Sequence, residues 1–113
     1  MEPKQGMTGK TCLVTGGTSG IGLETASALA KLQAEVVIVG RDRAKTQGVV
    51  DRIRSESGNP RVDFLIADLS SQAEIRKLAA EFLDRYPRLD VLVNNAGAMF
   101  DQRLETVDGI EMT

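Results

Sequence analysis

The sequence predicts an α/β domain built on a doubly wound parallel sheet. Short apolar runs rich in Val, Ile and Leu alternate along the whole chain with longer segments of helical periodicity, the pattern of successive β-α-β units. The first of these runs turns into the first helical segment through a glycine-rich stretch, Thr15–Gly22, which reads T-G-G-T-S-G-I-G. A strand that passes through glycines into a helix is how a chain of this class builds an anion site.

The elements follow in order. Met1–Thr8 is polar and irregular and reads as a mobile lead-in to a unit covering residues 9–113. Thr11–Thr15 is short and apolar, as a buried parallel strand should be. Leu23–Leu32 is a helix whose apolar face is Ala26, Leu29, Ala30 and the flanking Leu residues. Glu35–Val39 is the second strand. Ala44–Ser57 is a helix with Val49, Val50 and Ile53 inward; Gly48 weakens it, and Gly58-Asn59-Pro60 ends it. Val62–Ala67 is the third strand. Ser71–Tyr86 is an amphipathic helix with capping-box spacing at Ser71 and Glu74 and a stripe of Ile75, Leu78, Ala79, Phe82 and Leu83. Pro87 stops it, and Leu89–Val93 is the fourth strand.

Composition narrows the function. The chain of 113 residues is at most one domain. A formal net charge of −2 argues against a general nucleic-acid or polybasic membrane surface. There is no His, which excludes a Ser-His-Asp triad and histidine metal sites in this chain, and one Cys excludes an internal disulfide and a Cys-cluster metal site. Cys12 falls in the first strand and reads as a buried structural thiol. No apolar stretch has transmembrane length and the N-terminus has no signal-peptide core, so a cytoplasmic protein is expected.

The glycine stretch is the centre of the functional reading. A helix N-terminus leaves backbone N–H groups unpaired and its dipole favours negative charge. Gly16 and Gly20 permit backbone angles that a side chain disfavours, and Gly22 permits close packing of helix on strand or ligand. The expected ligand is the pyrophosphate of a dinucleotide. The stretch does not fit G-x-G-x-x-G, and it fails the P-loop pattern, which ends in G-K-[ST], because Leu23 follows Gly22. The pattern present is T-G-x-x-x-G-x-G; a glycine-rich turn without a ligand is the alternative.

T-G-x-x-x-G-I-G after an N-terminal strand resembles the cofactor loop of the short-chain dehydrogenase/reductase family. Ala67-Asp68-Leu69 after the third strand and Asn94-Asn95-Ala96-Gly97 after the fourth also match family motifs. Thr106–Glu111 is similar to a segment of the retinol-dehydrogenase-like subgroup. The resemblance runs from Lys10 to Thr113. It implies a Rossmann-like sheet, incomplete in this chain, with four strands in the order 3-2-1-4, the first two helices on one face and Ser71–Tyr86 on the other. It leaves the fourth strand as an open edge, from which aggregation of the isolated chain is expected.

By this resemblance the cofactor-binding residues are Gly16, Thr18, Ser19, Gly20, Ile21 and Gly22 in the loop, Arg41 after the second strand, Asp68 and Leu69 against the adenine, and Asn95, Ala96 and Gly97 near the ribose and nicotinamide. Asn94 mainly braces the sheet. For Asp68 the alternative is a turn or helix cap. At the carboxyl end of the second strand Gly40 stands where NAD-preferring relatives carry Asp, and Arg41 follows. A guanidinium matches a 2′-phosphate in charge and fork geometry, so NADP(H) is expected ahead of NAD(H), although Ser19 stands where many NADP-using relatives carry a second basic residue. A solvated surface charge is the alternative for Arg41. Glu35 begins its strand and points to the wrong end of the sheet, and Asp42 reads as a helix cap.

The family moves hydride between a nicotinamide and an alcohol or carbonyl, using a Tyr-x-x-x-Lys pair and a Ser. The single Tyr, Tyr86, is followed four residues on by Asp90, so no catalytic residue is carried over. The expected protein is the NADP(H)-binding part of an oxidoreductase, inactive by itself and homo-oligomeric in full-length form. Its substrate would be a small alcohol or ketone, which the subgroup hints is lipophilic. The alternative is a truncated dinucleotide-binding module without catalysis.

Overall fold

The computed structural model describes residues 7–18 and 20–94. Their order is β1 (Thr11–Thr15), α1 (Gly20–Lys31), β2 (Glu35–Gly40), α2 (Arg43–Ser57), β3 (Val62–Ile66), α3 (Gln72–Arg85) and β4 (Val91–Asn94). The four strands form one parallel sheet in the order β3-β2-β1-β4. In register, Thr15 lies beside Val39 on one flank and Asn94 on the other, and Gly40 lies beside Ile66. The carboxyl ends of all four strands therefore open on the same side of the sheet.

Alternation along the strands splits the core into two layers, because successive side chains point to opposite faces. Cys12, Val14, Val36, Ile38 and Val62 pack with Ala26 and Ala30 of α1 and Val50 and Ile53 of α2. Leu13, Val37, Val39 and Leu65 pack with Ile75, Leu78 and Phe82 of α3. The placement of two helices on one face and the third on the other agrees with the sequence expectation.

The differences are local. Helix α1 starts at Gly20, earlier than the apolar periodicity indicates; two glycines in its first turn carry no periodic signal, and Ile21 there is 75% exposed. Leu32 lies past the helix and is exposed, so it leaves the apolar face. Leu83 is exposed as well, while Ile75, Leu78, Ala79 and Phe82 are buried; the spacing i, i+3, i+4, i+7 already fills the face that meets the sheet. The capping box at α3 is half made. The Ser71 hydroxyl accepts the Glu74 N–H at 3.3 Å, but the Glu74 carboxylate accepts from the Asp68 N–H at 3.1 Å. Asp42 caps α2 as expected, accepting the Lys45 N–H at 3.0 Å. Residues 7–9 form a turn, and Met7 packs on the α1–α2 side of the core. Strand β4 begins two residues later than expected and includes Asn94.

Candidate nucleotide site

A cleft of about 630 Å³ lies across the carboxyl ends of β1, β2 and β3, a volume suited to a small-molecule ligand. It is lined by Gly16 and Thr18 from the turn after β1, Val39 to Asp42 from the end of β2, Lys45 and Thr46 from the first turn of α2, and residues 67–70 after β3. Of the residues named from sequence, the structure brings Gly16, Thr18, Arg41, Asp68 and Leu69 to this cleft. Gly20, Ile21 and Gly22 form the start of α1 and are not among its lining residues. Ser19, Asn95, Ala96 and Gly97 lie outside the described residues.

The glycine turn takes the geometry its residues permit. Gly16 and Gly20 have φ of 66° and 59°, in the left-handed region where a Cβ is disfavoured. The turn delivers the chain into α1, which has 12 residues and no acidic side chain in its first turn. Its dipole and unpaired N–H groups are thus not neutralised by its own first-turn side chains.

Each charged residue at the end of β2 has a distinct orientation. The Asp42 carboxylate is turned onto the N-terminus of α2. The Arg43 guanidinium lies over the Phe64 ring, 5.6 Å from its centroid, on the β3 side. Arg41 and Lys45 line the cleft and both are exposed. Lys45 was not identified by the sequence analysis; its signal is the spacing Arg41-x-x-x-Lys45 across the strand end and the first helical turn.

Asp68 lies across the cleft. Its Oδ1 accepts from the Ser70 hydroxyl at 2.7 Å and the Ser70 N–H at 3.0 Å. These two bonds hold its carboxyl below the usual carboxylate range, with a smaller contribution from the positive charge of Arg41. The carboxylate thus closes a turn, the alternative named for it from sequence. Leu69 packs partly buried against the α3 side of the core, one edge on the cleft. At the other end of the sheet opening, the Thr15 hydroxyl lies 3.3 Å from Asn94 Oδ1 and 3.4 Å from the Val93 carbonyl, a polar tie between β1 and β4.

Among the described residues no group of His, Cys, Asp and Glu is arranged to hold a metal ion. No helix there is long and apolar enough to cross a membrane. Cys12 is buried in β1, and burial together with the charge of Asp90 pushes its thiol up to about 11.

Comparison with known proteins places this geometry. The sequence pattern of the short chain dehydrogenase family matches residues 10–112. The polyprenol dehydrogenase of Mus musculus is 47% identical over 103 residues, 91% of this chain and 31% of that protein. The retinol dehydrogenase 13 of Homo sapiens is 39% identical over 104 residues, 92% of this chain and 31% of that protein. In structure, the chain superposes on the Pseudomonas aeruginosa RhlG/NADP active-site complex with a TM-score of 0.76 and 40% identity, covering 87% of this chain and 37% of that one. The chain spans about a third of the length of the curated relatives it matches. On the sheet order, the glycine turn and a match over nearly all of its residues, the chain belongs to the short-chain dehydrogenase/reductase family.

Proposed function

We propose that this chain is the NADP(H)-binding part of an oxidoreductase that moves hydride between the nicotinamide and an alcohol or carbonyl substrate. The observation that carries the cofactor preference is the pairing of Arg41 and Lys45 on one cleft wall, with the neighbouring acid, Asp42, committed to capping α2. Two cations beside an acid turned onto a helix N-terminus, with the other cleft carboxylate, Asp68, bonded to Ser70 after β3, suit a 2′-phosphate better than a ribose hydroxyl, which an acid at the end of β2 would hold. A similar chain, RhlG, is known as an NADP complex.

The residues present fit such a cofactor. The turn at Gly16 and the N-terminus of α1 would take the pyrophosphate, with Thr18, Ser19, Gly20, Ile21 and Gly22 as the loop around it. Asp68 and Leu69 would meet the adenine, the carboxylate oxygen not used by Ser70 accepting from the amino group. Asn95, Ala96 and Gly97 would approach the ribose and nicotinamide. When bound, the nicotinamide supplies or takes the hydride; this part of the protein binds and orients it. The substrate we assign is a lipophilic alcohol or its carbonyl form, supported by relatives named for polyprenol and retinol. The whole protein is proposed to be a homo-oligomer.

The test is a fluorescence titration with NADPH and with NADH. Arg41→Ala should weaken NADPH about tenfold to a hundredfold, the worth of a charge-assisted contact, and change NADH much less. An equal loss for both cofactors overturns the 2′-phosphate assignment.

A further inference from the structure

We propose that Thr46 is a specificity-determining residue of this cleft: it keeps position 40 free of a side chain, and so keeps an acidic ribose ligand out of the end of β2. The inference rests on the reading of the cleft as a dinucleotide site.

Gly40 is buried at the carboxyl end of β2 and does not have a positive φ. Its backbone conformation therefore does not call for glycine; space does. A Cβ at position 40 would collide with the Thr46 hydroxyl oxygen, and would lie 3.2 Å from Thr46 Cβ and 3.1 Å from Thr18 Cγ2. Thr46 cannot easily give way. It is fully buried, and its hydroxyl donates to the Asp42 carbonyl at 2.7 Å, the same carbonyl that accepts the Thr46 N–H at 2.9 Å. Turning the side chain breaks or re-aims the hydroxyl's bond to the Asp42 carbonyl, and one of the two turns only replaces the hydroxyl by the methyl. Gly40 itself is fixed from the other side, where its carbonyl accepts the Ala67 N–H at 3.0 Å.

Position 40 is where dinucleotide folds place the acid that holds the ribose hydroxyls, at the end of the second strand about 20 residues past the glycine turn. In this chain that acid is not merely missing. Thr46, on the next helix, removes the room for it, and leaves Arg41 and Lys45 to set the charge of the subsite. Placing an acid at position 40 therefore requires two substitutions together.

The experiment is a double-mutant cycle of Gly40→Asp, Thr46→Ala and the pair, read by thermal unfolding and by NADH and NADPH titration. Gly40→Asp alone should lower Tm by about 10 °C, as overpacking does, and gain no affinity for NADH. Adding Thr46→Ala should recover at least half of that loss and tighten NADH about tenfold relative to the single variant, after subtraction of the effect of Thr46→Ala alone. If Gly40→Asp is too unstable to titrate, Gly40→Ala carries the Cβ alone and gives the same Tm cycle. Wild-type Tm for Gly40→Ala or Gly40→Asp, or no rescue by Thr46→Ala, overturns the steric block. Rescue of Tm without tighter NADH binding overturns the specificity role. If the wild-type protein binds neither cofactor, the reading of the cleft falls and the specificity role with it, while the Tm cycle still decides whether Thr46 fills the space.

Discussion

Thr11 and Asp90, 79 positions apart, exchange two hydrogen bonds: the Thr11 N–H donates to Asp90 Oδ2 at 2.8 Å, and the Asp90 N–H donates to the Thr11 carbonyl at 2.9 Å. Arg88 adds a third, from Nε to the same carboxylate at 3.1 Å. This clamp fixes the start of β4 against the start of β1, at the end of the sheet opposite the cleft. The bond from Thr11 is the main reason the Asp90 carboxyl is held below the ordinary carboxylate range. A group whose folded pKa is depressed contributes stability above its unfolded pKa and loses it as pH falls through the folded value. Urea unfolding should therefore show stability declining below about pH 4, the unperturbed carboxylate range. Asp90→Asn should cost about 1 kcal/mol at pH 7, discounted for partial exposure, and flatten that decline. An unchanged acid limb in the variant would remove Asp90 as its cause.

Asn59 is fully buried between α1 and the loop after α2. Its amide donates to the Ala34 carbonyl at 2.7 Å and the Ala30 carbonyl at 3.0 Å, and its Oδ1 accepts the Arg61 N–H at 2.9 Å. It thus ties the end of α1 to the loop that follows it: the Ala30 carbonyl also accepts the Gln33 N–H at 3.0 Å, and Ala34 lies between α1 and β2. Asn59→Ala removes the side-chain partners of the buried Ala34 carbonyl and of the Arg61 N–H, while the Ala30 carbonyl keeps the Gln33 N–H, and should cost about 2 kcal/mol. A loss within about 0.5 kcal/mol, the range of an ordinary surface substitution, would show that water replaces the amide.

Asn59 also marks where the sequence stops being informative about the fold. Gly58-Asn59-Pro60 reads correctly as a helix stop, and Gly58 does take the left-handed C-cap with φ of 71°. That the Asn side chain reaches back to α1 depends on how two helices lie on the sheet, which no local pattern encodes. The strands were legible because each is a short run dominated by apolar residues, broken only by Asp63 inside β3, and α3 because its stripe repeats at helical spacing. The start of α1 was not, since Gly20 and Gly22 add nothing to a periodicity. Leu83 misled for the opposite reason: it is apolar at a plausible spacing, yet sits beside a face already filled by Phe82 and Ala79.

Tyr86 and Cys12 set the alkaline limit. Burial, the charge of Asp63 and the hydroxyl's 3.3 Å contact with Asp63 Oδ2 push the Tyr86 phenol up to about 12, against a smaller opposing pull from Arg85. Burial pushes the Cys12 thiol up to about 11. Both groups are neutral when folded, so they contribute stability that is full below their unfolded pKa values and is lost as pH rises through the folded ones. Stability should begin to fall above about pH 9, the unperturbed thiol range. Tyr86→Phe should make the fall shallower above about pH 10, the unperturbed phenol range, while keeping the packing on Phe82, whose ring centroid lies 4.9 Å away. Cys12 should react with a thiol reagent at pH 8 only after unfolding. Rapid labelling of the native protein would contradict its burial.

The candidate site was legible where function and local structure share residues. Glycines at positive φ, an Arg at a strand end and an Asp after another strand are all visible in one dimension. Thr46 was not, because it acts through a contact with Gly40 that exists only once α2 folds back on β2. Lys45 went unnamed for a related reason. Without the start of α2, nothing indicates which of the two next basic residues turns toward the cleft.

Arg43 turns away onto Phe64, and Lys45 faces the cleft. Only the backbone N–H of Lys45 is used in capping α2, and that bond survives truncation of the side chain. Lys45→Ala should therefore leave Tm within about 2 °C of wild type, as expected for a surface change. It should weaken NADPH about threefold to tenfold, the worth of an exposed charge near a phosphate. The effect should shrink when ionic strength rises from about 0.05 to 0.5 M, because a solvent-facing lysine is screened over a few ångströms at high salt. NADH, with no 2′-phosphate, should respond much less at either salt concentration. Equal weakening of both cofactors would move Lys45 from the 2′-phosphate to a part of the nucleotide they share.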